Sequence, residues 1–150
     1  MTATATVHAS AILIGKHGVL IRGASGSGKS SLVLGLIDRD PEETRLIADD
    51  RVHLSVAHGR LIATAPKQLA GKLEVRGQGI VDLAHVSSAA IDLVIDLLPA
   101  DQCPRLPEAE DMRVEIDGMI LPRLKLPIGA SDGPARVRLA AQRLANATQA

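Results

Sequence analysis

The chain has 150 residues with 17 basic and 17 acidic side chains, 46% hydrophobic residues, and no Phe, Tyr or Trp. That length is one domain's worth, enough to bury a core, and the core has to be aliphatic. Zero formal net charge without a basic run excludes a nucleic-acid groove or an anionic membrane surface as the main partner, and no ring is available for stacking on bases. A single cysteine, Cys103, excludes an intrachain disulfide and a cysteine-based zinc site, consistent with a reducing compartment. The N-terminus lacks the basic start and apolar core of a leader, and no apolar stretch approaches the roughly 20 residues of a membrane span. The expectation is a soluble, cytoplasmic protein with neither a nucleic-acid nor a membrane partner.

Taken in order, Ala11 to Ile14 is apolar, Lys16-His17-Gly18 reads as a turn, and Val19 to Ile21 as a buried strand. A helix runs from Ser30 to about Arg39, with Leu32, Val33, Leu34, Leu36 and Ile37 apolar on nearly every side, and Asp40-Pro41 ends it. Arg45 to Ala48 and Val52 to Val56 read as short strands, with Ala57-His58-Gly59 turning into Arg60 to Ala63. Ile91 to Leu98 is a further buried strand, and Arg113 to Ile116 with Met119 to Leu126 forms a hairpin about Asp117-Gly118. A last helix begins near Pro134, with Val137, Ala140, Ala141, Leu144 and Ala145 on one face and Arg136, Arg138 and Arg143 on a solvated one. Many strands and two helices predict an α/β domain with a mixed central sheet, unlike the strict strand-helix alternation of a parallel one.

Between the strand at Val19 and the helix at Ser30 lies Gly23-Ala24-Ser25-Gly26-Ser27-Gly28-Lys29-Ser30, which fits Gly, four residues, Gly-Lys-Ser at every fixed position. Three glycines let consecutive N–H groups curl inward around an anion, and the helix after the loop adds its own unpaired N–H groups. Lys29 is placed for the β and γ oxygens of a nucleotide such as ATP, and the Ser30 hydroxyl for Mg²⁺. Any adenine would rest on aliphatic or arginine surface.

The phosphate loop, Leu46-Ile-Ala-Asp-Asp50 and Leu73-Glu-Val-Arg-Gly-Gln-Gly-Ile80 together resemble the HPr kinase/phosphorylase family over about His8 to Leu126. The glutamate-bearing segment is the most specific of the three. The resemblance implies a P-loop kinase domain of the HPr kinase type. It covers the family's catalytic domain, so residues 1–150 are expected to be that single domain without an N-terminal regulatory one. The implied activity is Mg-ATP-dependent phosphorylation of a serine on the phosphocarrier HPr, with a reverse reaction that uses inorganic phosphate and yields pyrophosphate. A homohexamer is implied as well.

On the same resemblance Asp50 accepts the serine proton, Asp49 and Glu74 support the metal together with Ser30, His8 stabilises the transferring phosphate, and Arg105 reaches toward it. The residues by themselves do not choose between Asp49 and Asp50; extended backbone would simply point them to opposite faces. Asp92 and Asp96 imitate the same apolar-then-acid pattern and are read as structural. Gln78 stands where the family has leucine. The arginine- and glycine-rich loop that the family carries after Pro127 is replaced by Ile128-Gly-Ala-Ser-Asp-Gly-Pro-Ala, which leaves the reverse direction open. Two alternatives are a small-metabolite kinase with the same loop, which would need a mobile arginine-bearing lid, and a non-catalytic nucleotide-dependent signalling module.

Overall fold

The computed structural model describes the backbone of residues 6–149 and the side chains of residues 6–144. Eleven strands and two helices occur in the order β1 (Thr6–Val7), β2 (Ala9–Ile14), β3 (His17–Gly23), α1 (Lys29–Arg39), β4 (Thr44–Ala48), β5 (Val52–Ala57), β6 (Arg60–Thr64), β7 (Lys72–Val75), β8 (Gly79–Asp82), β9 (Ser88–Leu98), β10 (Arg113–Ile116), β11 (Met119–Pro127) and α2 (Gly133–Gln149). Nine strands form one mixed sheet, and β7 and β8 pair separately as a two-stranded hairpin.

The sheet is organised by β9, whose length lets it serve three neighbours. Ser88–Ala90 pair antiparallel with β6, and Val94–Leu98 pair parallel with β11 on the same edge, while β3 runs parallel along the other edge. β2 lies antiparallel between β3 and β4, so β4 points the same way as β3. The strands β4, β3, β9 and β11 therefore all end at one edge of the sheet. In open α/β sheets that edge, beyond the carboxyl ends of parallel strands, is where ligands bind.

Both faces of this sheet are covered. On one face α1 and α2 seal Ile12, Val19, Ile21, Leu93, Ile95 and Leu126 against Leu32, Val33, Leu36, Val137 and Ala141. On the other face the sheet curls over itself, enclosing Leu20, Ile47, Leu61, Ile91, Val94 and Leu121. Two-sided burial explains why Ile91 to Leu98 reads as a nearly continuous apolar run instead of an alternating one. Without aromatics, branched aliphatic side chains fill both cores.

Several boundaries differ from the sequence reading. His17 and Gly18 belong to β3, and the chain turns at Gly15-Lys16. Gly18 is needed for close approach, since a Cβ there would lie 2.1 Å from the Ala90 carbonyl oxygen. The glutamate-bearing Leu73 to Ile80 segment is the β7–β8 hairpin, anchored by the fully buried Leu73. The expected hairpin at Asp117-Gly118 forms, with φ of +50° and +83° at those two residues, the left-handed pair that a two-residue hairpin turn demands. Arg136 and Arg143 are exposed, but Arg138 is not on a solvated face. It reaches across to α1, donating to the Leu36 carbonyl at 2.6 Å and the Thr44 hydroxyl at 3.3 Å, and so satisfies a free carbonyl of the last turn of α1. The side chain of Ala145 lies outside the described residues.

Candidate active site

The segment from Gly23 to Ser30 leaves the end of β3, turns twice through left-handed glycines, Gly26 at φ +80° and Gly28 at φ +96°, and enters α1 at Lys29. Ser27 N–H closes the turn on the Ala24 carbonyl at 3.0 Å. The buried Lys29 folds back over the loop, its ammonium 2.9 Å from the Gly23 carbonyl and 3.1 Å from that of Ala24. Those carbonyls hold the ammonium against the loop, and a glycine loop entering a helix N-terminus is suited to a polyphosphate.

The acidic pair is separated by a turn, not by strand alternation, because β4 stops at Ala48. A bulge precedes it: Ala11 faces Ala48 while Ile12 faces Leu46, so Ile47 is the extra residue, a device that re-aims the side chains just beyond it. Arg51 N–H then bonds the Asp49 carbonyl at 2.8 Å across Asp50, whose φ is +68°, as in a γ-turn. Asp49 turns inward. It accepts the Ser10 hydroxyl at 2.8 Å and lies 2.8 and 3.0 Å from the Ser30 hydroxyl. Asp50 turns outward and meets His8 Nε2 at 2.5 Å. A left-handed non-glycine residue stores strain, and such residues cluster at functional sites.

One cavity of about 420 Å³ gathers most of these groups, while Asp49 stays outside its lining and meets it through the Ser30 hydroxyl. His8, Ser25, Gly26, Gly28, Lys29, Ser30, Asp50 and Glu74 all line it, with Val75 and Arg76 from the β7–β8 hairpin. Of the loop residues, Ser27 faces a second cavity, and neither Gly23 nor Ala24 lines the first one. Arg105 is exposed on the segment after β9 and lines neither cavity. Arg76 lines both; the sequence placed it in the glutamate segment without giving it a task. Ser10, fully buried beneath both aspartates, was also missed, because a lone serine in an apolar strand carries no motif.

Ser30, Asp49 and Glu74 offer hard oxygen donors, the chemistry that suits Mg²⁺, which needs only one or two protein groups beside phosphate and water. No group of three or more His, Cys, Asp or Glu that could hold a metal by itself occurs among the described residues, so the phosphates would have to complete the shell. Asp96 takes a two-pronged contact from Arg22 at 2.8 and 2.9 Å and a third from Arg123 at 3.2 Å, and Asp92 pairs with His17 and Arg60. Both are structural, as expected, and neither lines the cavity. Burial pushes the Cys103 thiol above its ordinary range.

A glycine loop between a parallel strand and a helix, with acidic residues at the end of a second parallel strand, is the architecture of the phosphate-binding α/β class of proteins. The family model described as HPr Serine kinase C-terminal domain matches residues 1–145, and the chain belongs to that family. The HPr kinase/phosphorylase of Lactobacillus acidophilus is 37% identical over 134 residues, spanning 82% of this chain and 40% of that protein. That of Geobacillus thermodenitrificans is 37% identical over 136 residues, spanning 83% and 43%. This chain thus matches less than half the length of those curated relatives. The structure of the Hpr(Ser) kinase/phosphatase from Coxiella burnetii superposes with a TM-score of 0.81 at 28% identity, covering 96% of this chain and 92% of that one.

Proposed function

We propose that this chain transfers the terminal phosphoryl group of Mg-ATP to a serine of the phosphocarrier HPr. The observation that carries the reading is the single cavity lined by His8, Lys29, Ser30, Asp50 and Glu74. Separate sequence segments supply them. The relatives named for HPr phosphorylation support the substrate.

The loop N–H groups and Lys29 bind the β and γ phosphates and take up charge as the γ group departs. Ser30, Asp49 and Glu74 would hold Mg²⁺, which would supply positive charge to neutralise the phosphates. Asp50, at the open side of the cavity, accepts the proton of the attacking serine hydroxyl, and His8 Nε2 fixes its carboxylate. The phosphorus–oxygen bond to ADP breaks as the serine oxygen takes the phosphoryl group. In the reverse direction inorganic phosphate takes that group, giving pyrophosphate, and Asp50 returns the proton to serine. Arg76 is the arginine that lines this cavity, and its charge suits it to steady the transferring group. A homohexameric assembly and a cytoplasmic location belong to the same proposal. Among the described residues no helix is long and apolar enough to cross a membrane.

The test is incubation of the purified chain with ATP, Mg²⁺ and HPr, followed by intact-mass analysis, then addition of inorganic phosphate. One added phosphoryl group on HPr is expected. Lys29→Ala should lose nucleotide binding, and Asp50→Asn should keep binding while transfer falls by about 10²–10⁴. Unmodified HPr, or full transfer by Asp50→Asn, refutes the assignment.

A further inference from the structure

The hairpin of β10 and β11 presents an unpaired edge. Among the described residues β10 is paired with β11 alone, and the turn decides which of its backbone groups lie on the free side. A two-residue turn is closed by a hydrogen bond between its flanking residues, here Ile116 and Met119. Antiparallel pairs alternate between bonded and non-bonded, so Val114 with Leu121 is the next bonded pair. Arg113 and Glu115 therefore aim their N–H and C=O groups away from β11. Pro122 fits this phase, since it stands opposite Arg113 and has no N–H to offer. No further backbone bond reaches Arg113 or Glu115 among the described residues.

An edge of this kind is a template for pairing with another strand. Its two faces differ in character. Val114 and Ile116 pack into the second core, while Arg113 and Glu115 are exposed and take part in no ion pair among the described residues. Opposite charges two positions apart on one face are self-complementary. Turned end for end about Val114, the strand sets Arg113 against Glu115 and Glu115 against Arg113, and in both facing pairs the N–H of each residue meets the C=O of the other. On the opposite face Val114 meets its own copy, and Met112, 49% exposed, falls opposite Ile116. Sliding the strands by two residues in either direction sets Arg113 against Arg113 or Glu115 against Glu115, and like charges directly opposite one another are destabilising.

We propose that β10 is a surface through which two copies of this chain join, antiparallel about a two-fold axis at Val114, with Arg113 of each copy paired to Glu115 of the other. Such an interface uses the same patch twice and closes on itself. The number of copies in an assembly does not say which surfaces meet, and this pairing stands independently of the chemistry in the catalytic cavity. One short strand a side is far less than the roughly 20–30 residues of a standard interface, so the contact on its own is weak and depends on concentration.

Sedimentation velocity of the whole chain over a concentration series tests it. Wild type should associate as concentration rises. Arg113→Glu sets Glu against Glu and Glu115→Arg sets Arg against Arg, so each variant alone should associate at least about tenfold more weakly. Mixed together, the two single variants regain both attractive pairs, and the mixture should associate as wild type does; the double exchange in one chain should do the same. Both positions are exposed and outside the catalytic cavity, so urea midpoints and nucleotide binding should match wild type, which separates lost pairing from lost folding. A wild type that stays monomeric at every concentration overturns the proposal. So do single variants that associate like wild type, or a mixture of folded variants that associates no better than either alone.

Discussion

Ser10→Ala tests whether the acidic pair is held from beneath. The Ser10 hydroxyl donates to Asp49 Oδ1 at 2.8 Å and accepts Asp50 N–H at 3.3 Å, and the residue is fully buried. A hydrogen bond to a charged group contributes about 1.5–3 kcal/mol, and a longer neutral one roughly 0.5. Alanine removes both and leaves a backbone N–H without its partner, for a loss of about 2–3 kcal/mol. In a domain of this size 1 kcal/mol lowers Tm by roughly 2–4 °C, so a fall of about 4–12 °C is expected. Urea unfolding should show a lower midpoint with the same m value, because the exposed area does not change. The Mg²⁺ concentration for half-maximal nucleotide binding should rise as Asp49 loses its support beside Ser30. A stability change under about 0.5 kcal/mol, the size of an ordinary surface substitution, would refute the reasoning.

Three further outcomes are expected from other parts of the structure. In Gly23→Ala the new Cβ would lie 2.4 Å from Ser27 Oγ and 3.1 Å from Leu97 Cβ, so the loop has to shift; about 1–3 kcal/mol of stability and most nucleotide affinity should go, and wild-type affinity by calorimetry would contradict this. The Lys125 ammonium, aided by the Glu108 N–H, holds the Asp111 carboxyl below its usual range. A depressed native value gives stability above the unfolded aspartate value of about 3.9 and loses it as pH falls through the lower native one. The gap in urea midpoint between wild type and Asp111→Asn should therefore be full at neutral pH and close in acid; a gap independent of pH would count against it. Arg138→Met should cost about 1–3 kcal/mol by urea titration, because Leu36 loses a donor at 2.6 Å and Asp40 a partner at 3.6 Å; an unchanged midpoint would return Arg138 to the solvated face.

The parts of this protein that local chemistry controls were readable along the chain. Three glycines, a lysine and a serine after an apolar strand specify an anion loop on a helix N-terminus, and Asp117-Gly118 specifies a hairpin, because each depends on backbone freedom within a few residues. Burial was written in the apolar run Ile91 to Leu98, whereas the ion pairs of Asp92 and Asp96 within it come from His17, Arg60, Arg22 and Arg123, far along the chain. Tertiary pairing settled the rest. The bulge at Ile47 and the left-handed Asp50 aim one carboxylate at Ser10 and Ser30 and the other at His8, an outcome set by how β4 registers against β2. Glu74 and Arg76 reach the loop because Leu73 pins a separate hairpin beside α1, while Arg105 stays outside both cavities. Side chains that meet across long stretches of sequence leave no periodic trace in it, since the contact depends on the fold of everything between them.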